Sequence, residues 1–221
     1  HGNVACLGQA LEENKKELPT WRGHHEQNMA LTGIAYARAK RRKQIFVATS
    51  SVGPGSTNLL TAAAVAMSNR LPMLFLPGDT YANRMPDPVL QQVEHFNNPN
   101  ITQNDAFKYV CRYFDRITRP EQILQTLPNA IQTMIDPADC GPACISLSQD
   151  VQGETFDYPE EFFYEKVHSI RRPRPDDYQI KQAVELIKKS KNPIIISGGG
   201  IFYSDAMKEL SQFAKKHNIP T

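Results

Sequence analysis

Two stretches of the chain hold residue types whose spacing suits chemistry: Trp21-Arg22-Gly23-His24-His25-Glu26-Gln27 and, further along, Val52-Gly53-Pro54-Gly55-Ser56-Thr57-Asn58. The first reads as an extended segment that delivers the Glu26 carboxylate to the start of a helix, because Met29, Gly33, Ile34 and Ala37 fit a 3.6-residue period. A carboxylate at that position is held, and its ordinary role is to meet the helix dipole or cap the first turn. A chemical role requires something to bring a ligand to it. The second stretch offers the means. Its glycines let the chain turn sharply between a strand and a helix, and the helix start leaves N–H groups facing whatever lies above the carboxyl ends of the strands. A polar ligand is expected to sit there.

The elements that must position these residues follow from pattern and punctuation. A strand over 44–51, the glycine-containing turn, an alanine-rich helix through about Ser68 and a second strand over 73–76 make a βαβ crossover that ends at Pro77-Gly78-Asp79. A helix over 120–136 and a strand over 143–147 continue the alternation, and Gln149-Asp150-Val151 leaves the domain. The fold class is therefore α/β, a parallel sheet flanked by helices. Residues 152–174 mix acidic, aromatic and proline residues without a steady period and read as a linker over the surface. Beyond them, a helix over 176–190, a strand over 193–197, a turn at Gly198-Gly199-Gly200, a helix over 204–217 and the start of a strand at Ile219-Pro220-Thr221 predict the opening of a second α/β domain. Residues 81–105 are irregular and rich in Asn and Pro, and a loop of that length inside a compact domain tends to be functional.

Composition narrows the partners. A chain of 221 residues with a net charge of +2 gives no reason to expect nucleic acid. The basic runs Arg38 to Lys43 and Arg171 to Arg174 read as a solvated helix end and a proline-containing linker. No apolar stretch approaches the roughly 20 residues needed to cross a bilayer, and no signal sequence is visible, so no membrane partner is expected and the cytoplasm is the default location. Cys6, Cys111, Cys140 and Cys144 form no C-x-x-C pair; Cys140 and Cys144 bracket Gly141-Pro142 and are expected to be buried free thiols. His24 and His25 are adjacent, so they point in different directions, and no metal site is assigned to them.

His25-Glu26-Gln27, Gly33-Ile34-Ala35-Tyr36-Ala37-Arg38 and Thr49-Ser50-Ser51-Val52-Gly53-Pro54-Gly55-Ser56-Thr57-Asn58 together resemble, in order and spacing, the pyrimidine-binding domain of thiamine-diphosphate enzymes of the acetolactate synthase type. The family pattern runs H-E-x, then G-Y-A-R, then T-S-G-P-G-x-T-N. This chain departs from it by an extra residue in Ser50-Ser51-Val52-Gly53 and by Ile34-Ala35 ahead of Tyr36-Ala37-Arg38. Asn69-Arg70-Leu71-Pro72, Leu76-Pro77-Gly78-Asp79-Thr80 and the run from Arg84 to Phe96 resemble one branch, the trihydroxycyclohexane-1,2-dione hydrolases of myo-inositol breakdown. The resemblance covers nearly the whole chain. It implies a piece of a longer protein: residues 1–151 as the pyrimidine-binding domain without its first strand and helix, 152–174 as a linker, and 175–221 as the truncated start of the central domain.

On this resemblance Glu26 matches the glutamate that shares a hydrogen bond with N1′ of the cofactor's aminopyrimidine and so favours the imino form that accepts the thiazolium proton. A largely dry pocket strengthens that bond and raises the carboxyl's affinity for a proton. Gly53, Pro54 and Gly55 would let the backbone approach the pyrimidine, and His25 and Gln92 are candidates for lining the pocket or touching substrate. Asn58 is expected to tether its own helix start, and Asp79 to bond nearby backbone in a strand-end turn. Magnesium would anchor the diphosphate, but the family's G-D-G…N signature is not found in these residues, so the diphosphate and metal site belongs to a domain outside the chain. Family members share the cofactor across a subunit interface, which implies a homo-oligomer in which this chain carries half a site. The implied reaction is hydrolytic opening of a cyclic polyhydroxy 1,2-diketone, a small-molecule substrate, to a deoxyuronic acid. Two alternatives are an acetolactate synthase-like carboligase or decarboxylase and a non-catalytic assembly module. A dinucleotide-binding unit is a further rival, but it lacks the third glycine, and Pro54 removes an N–H from the turn.

Overall fold

The computed structural model describes residues 2–85, 90–93 and 95–221. The alternating strand and helix signals are realised as α1 (Ala5–Glu13), α2 (Glu26–Ala39), β1 (Val47–Ser50), α3 (Pro54–Ser68), β2 (Leu74–Asp79), β3 (Tyr113–Ile117), α4 (Ile123–Ile135) and β4 (Ala143–Ser148). The strands form one sheet in the order β1-β2-β4-β3, and every pairing is parallel. Chain order and spatial order differ because β4 inserts between β2 and β3. Parallel neighbours need crossovers, and α3 and α4 supply two of them.

The period of two along each strand sorts the core into layers. Leu74 of β2, Ile117 of β3 and Ala143 and Ile145 of β4 pack with Ala130 and Met134 of α4, and Leu76, Tyr113 and Leu147 join them at the margin. Phe75 points the other way. Its ring meets Phe107 at 5.9 Å, and both are fully buried. Each such side chain contributes on the order of 1.5–3 kcal/mol by leaving water. Helices α2 and α3 pack on each other, and each buries small residues, Ala30, Gly33 and Ala37 on one and Ala62, Ala63 and Ala66 on the other.

At the carboxyl ends of β2, β3 and β4 the core turns polar. The Asp79 carboxylate is fully buried; it accepts from Arg116 Nε at 2.7 Å, from the Ser146 hydroxyl and from the Thr80 amide at 2.8 Å. Arg116 also reaches Thr102 Oγ1 at 2.8 Å and Asp105 at 3.2 Å. Asn104 donates to Ser146 Oγ and to the Gly78 carbonyl. A buried carboxylate is tolerable only when paired and hydrogen-bonded in this way.

Several boundaries differ from the sequence expectations. The first strand begins at Val47, not Gln44, because Phe46 is drawn into an aromatic stack with Tyr36 at 4.4 Å and Trp21 at 5.7 Å. The second strand runs on through Pro77 and Gly78 to Asp79, so Asp79 ends a strand and bonds chiefly to side chains of its neighbours. Residues 103–109 form a 3-10 helix, capped by Thr102 and Asp105, within the stretch expected to be irregular. The run from Arg84 to Phe96 falls partly outside the described residues. Between the last strand and Ser169 the chain stays with the sheet unit, where Tyr158 donates to the Pro120 carbonyl at 3.1 Å and stacks with Phe162.

Residues 170–221 form a second compact unit. It contains α5 (Asp177–Lys189), α6 (Gly199–Tyr203) and α7 (Met207–His217). Asp176 caps α5 by accepting from the Gln179 amide at 2.8 Å. The expected strand over 193–197 is not formed; Ile195 N donates to the Pro220 carbonyl at 2.9 Å, and Pro193 and Pro220 bring no N–H of their own to a ladder. The glycine triplet starts α6 instead of making a turn, and the helix expected from Ser204 starts at Met207 because Asp205 takes a left-handed φ of 59°.

Candidate active site

Glu26 is the first residue of α2, with His25 in extended conformation at the N-cap and no side-chain cap bond. The carboxylate is half-buried, and its partner comes from another helix: Asn58 Nδ2 donates to Glu26 Oε2 at 3.0 Å. Among the described residues Oε1 accepts no hydrogen bond. It lies 3.4 Å from where a Cβ on Gly55 would stand.

The turn that brings α3 to this carboxylate depends on two glycines. Gly53 is the N-cap of α3 with φ of 70°, a region that costs any residue with a Cβ, and a Cβ there would also overlap the Gln91 carbonyl oxygen. Pro54 occupies the first helical position, where its missing N–H and fixed φ suit the helix. At Gly55 a Cβ would collide with the buried Ser51 hydroxyl, so only glycine lets Ser51 and the Glu26 carboxylate converge on this turn. Thr57 Oγ1 and Ser56 Oγ donate to the Gly53 carbonyl at 2.9 and 3.1 Å, and Ser56 also meets the Gln103 side-chain oxygen. The Nε2 atoms of Gln92 and Gln103 are buried without a partner among the described residues.

The structure thus brings together Glu26, Gly53, Pro54 and Gly55 at the carboxyl end of β1. Gln92 sits between two residues that close on Gly53, Gln91 through its carbonyl and Val93 through Cγ2 at 3.6 Å from that same Cβ position. His25 is different. Its side chain is exposed at the N-cap, and the carboxylate's one hydrogen-bond donor among the described residues is Asn58. Asn58 does not tether its own helix start, as sequence reasoning expected; no cap bond is made, and the amide is spent on Glu26. The signal for this was available. Asn58 lies three residues after Gly55, so on a helix the two share a face.

Chemistry elsewhere is muted. Burial pushes the Cys111 thiol up to about 12 and the Cys140 thiol up to about 11, and it also raises Cys144 well above the ordinary thiol value. Cys6 is exposed, and all four are free. Among the described residues no group of three His, Cys, Asp or Glu side chains could hold a metal ion, and no helix is long and apolar enough to cross a membrane.

Comparison with known proteins agrees with the motif reading. Residues 2–99 match the family model described as thiamine pyrophosphate enzyme, N-terminal TPP binding domain, and residues 180–221 match the central domain of the same enzymes. Over 220 residues the chain is 54% identical to a 3D-(3,5/4)-trihydroxycyclohexane-1,2-dione hydrolase from Clostridium tetani, covering 100% of this chain and 34% of that protein. The corresponding proteins of Geobacillus thermodenitrificans and Listeria monocytogenes are each 51% identical over the same span, again covering 34% of their length. The chain therefore spans about a third of the curated relatives it matches. A thiamine diphosphate-dependent 4-hydroxybenzoylformate decarboxylase from Rhodococcus jostii superposes with a TM-score of 0.73 at 20% identity, over 90% of this chain and 36% of that one, which establishes likeness of fold. These matches favour neither a carboligase nor a non-catalytic module.

Proposed function

Because this chain belongs to the thiamine pyrophosphate enzymes, carrying their N-terminal domain segment and part of their central domain, we propose that it supplies the pyrimidine-side half of a site that opens a cyclic polyhydroxy 1,2-diketone by hydrolysis. The observation that carries the reading is the Glu26 carboxylate at the start of α2, held through Oε2 by Asn58 while Oε1 stays open beside the glycine turn. An aminopyrimidine ring offers a nitrogen for such an oxygen and a flat face for a backbone without Cβ atoms, so these residues fit the group. Identity of 50% or more to relatives named for that hydrolysis supports the substrate class.

When bound, thiamine diphosphate supplies a stabilised carbanion for attack on a carbonyl. The chain's own contribution is positional and protonic. Glu26 Oε1 holds or releases a proton at the ring nitrogen, the Gly53-Pro54-Gly55 turn sets how closely the backbone approaches, and Gln92 offers a buried amide donor to a substrate oxygen. Magnesium and the diphosphate would be held by the remainder of a longer protein, assembled as a homo-oligomer in the cytoplasm within myo-inositol breakdown.

The test is Glu26→Gln in the full-length protein. The substitution keeps size and cannot exchange a proton at the ring nitrogen, so turnover should fall about 100-fold or more. Turnover within about threefold of the parent would remove Glu26 from the mechanism and the reading with it.

A further inference from the structure

The role of Asn58 follows from which carboxylate oxygen it occupies. Its Nδ2 donates to Glu26 Oε2 at 3.0 Å from the second turn of α3, while Gly55, three residues earlier on that helix, stands 3.4 Å from Oε1 by its absent Cβ. The two oxygens therefore have different surroundings fixed by a single helix. A carboxylate with one oxygen accepting from a fixed donor is locked in orientation, and a proton arriving at it is directed to the other oxygen, since protonating the occupied one would set a donor against a donor. α3 contributes no titratable group to this contact: Pro54, Gly55, Ser56, Thr57 and Asn58 carry none, and His25 on the α2 side is exposed.

We propose that Asn58 is a positioning residue for the reaction, aligning Glu26 so that Oε1 is the oxygen that exchanges a proton with the bound cofactor. The inference rests on the reading of Glu26 given above. It departs from the plain alternative, in which the Asn58 amide merely ties α3 to α2.

Two substitutions in the full-length protein separate these roles. Asn58→Asp keeps the shape and removes the donor; Asn58→Ala removes both. In each, kcat should fall about 10-fold to 100-fold, the range of a lost hydrogen bond to a charged group. The dissociation constant for thiamine diphosphate with magnesium, measured by fluorescence quenching without substrate, and KM should both stay within about threefold. The aspartate variant should be no more active than the alanine variant. If Asn58→Asp keeps kcat within about threefold of the parent, or if kcat and cofactor affinity fall together in both variants, Asn58 is a packing residue and the proposal is overturned. Glu26→Gln, measured beside them, keeps the two failures apart: loss of turnover there with normal turnover in both Asn58 variants sinks only the positioning role.

Discussion

Gly53 shows at residue scale how a local backbone need sets a site. Its φ of 70° makes the N-cap of α3, and the Gln91 carbonyl fills the space where a Cβ would go. Gly53→Ala should therefore destabilise the chain by about 2 kcal/mol or more, from left-handed strain plus displacement of the Gln91 segment, as read by urea denaturation. A loss below about 0.5 kcal/mol would mean that the turn relaxes freely, and its rigidity could not be invoked for the site. Glu26 and the glycines were legible in sequence because a helix start and a strand-to-helix turn leave local marks: apolar spacing, Gly and Pro. The hydrogen bond from Asn58 to Glu26 spans 32 residues and depends on how α2 packs on α3, so only its helical spacing from Gly55 was visible beforehand. His25, judged by its neighbour, belongs to the exposed surface.

Among the elements, those with strong periodic or apolar patterns were readable and those held by tertiary polar contacts were not. α2, α3, α4, α5, β2 and β4 announced themselves within a few residues of their bounds. β3 did not. No strand was expected at Tyr113–Ile117, which carries Asp115 and Arg116 within five residues, and there Arg116 neutralises a fully buried Asp79 on β2. The strand's charges are met by tertiary partners that no local window records, Arg116 by Asp79 on β2 and Asp115 by the Thr126 hydroxyl on α4. Arg116→Met tests that account. Removing the cation leaves the buried Asp79 carboxylate without its ion partner, and although the Ser146 hydroxyl and Thr80 amide remain, the loss should be about 3 kcal/mol in chemical denaturation. The double substitution Asp79→Asn with Arg116→Met should recover part of that loss. Equal stability of Arg116→Met and the parent would show that the pair contributes nothing to the sheet.

For the molecule as a whole, the sheet unit places the candidate chemistry at the carboxyl end of β1, and the proposed function assigns the anchoring of a diphosphate to the remainder of a longer protein. The sheet unit ends at Ser169, and the helices α5 to α7 form a unit of their own, in which strands foreseen at 193–197 and 219–221 are not assigned. The sequence pattern predicted strands there, but a ladder requires repeated pairing, and among the described residues the backbone hydrogen bond between the two segments is that from Ile195 N to the Pro220 carbonyl. The same incompleteness bears on ligand affinity. At the turn, Glu26 Oε1 can offer a bound ring about one hydrogen bond, worth roughly 1 kcal/mol net, whereas micromolar affinity corresponds to about 8 kcal/mol. These 221 residues, expressed alone, should therefore show no magnesium-dependent binding of thiamine diphosphate in the micromolar range by calorimetry, while the full-length protein binds it. Micromolar binding to the 221-residue chain that disappears on chelation of magnesium would mean that a diphosphate site lies within it, and the assignment of a half-site would be wrong.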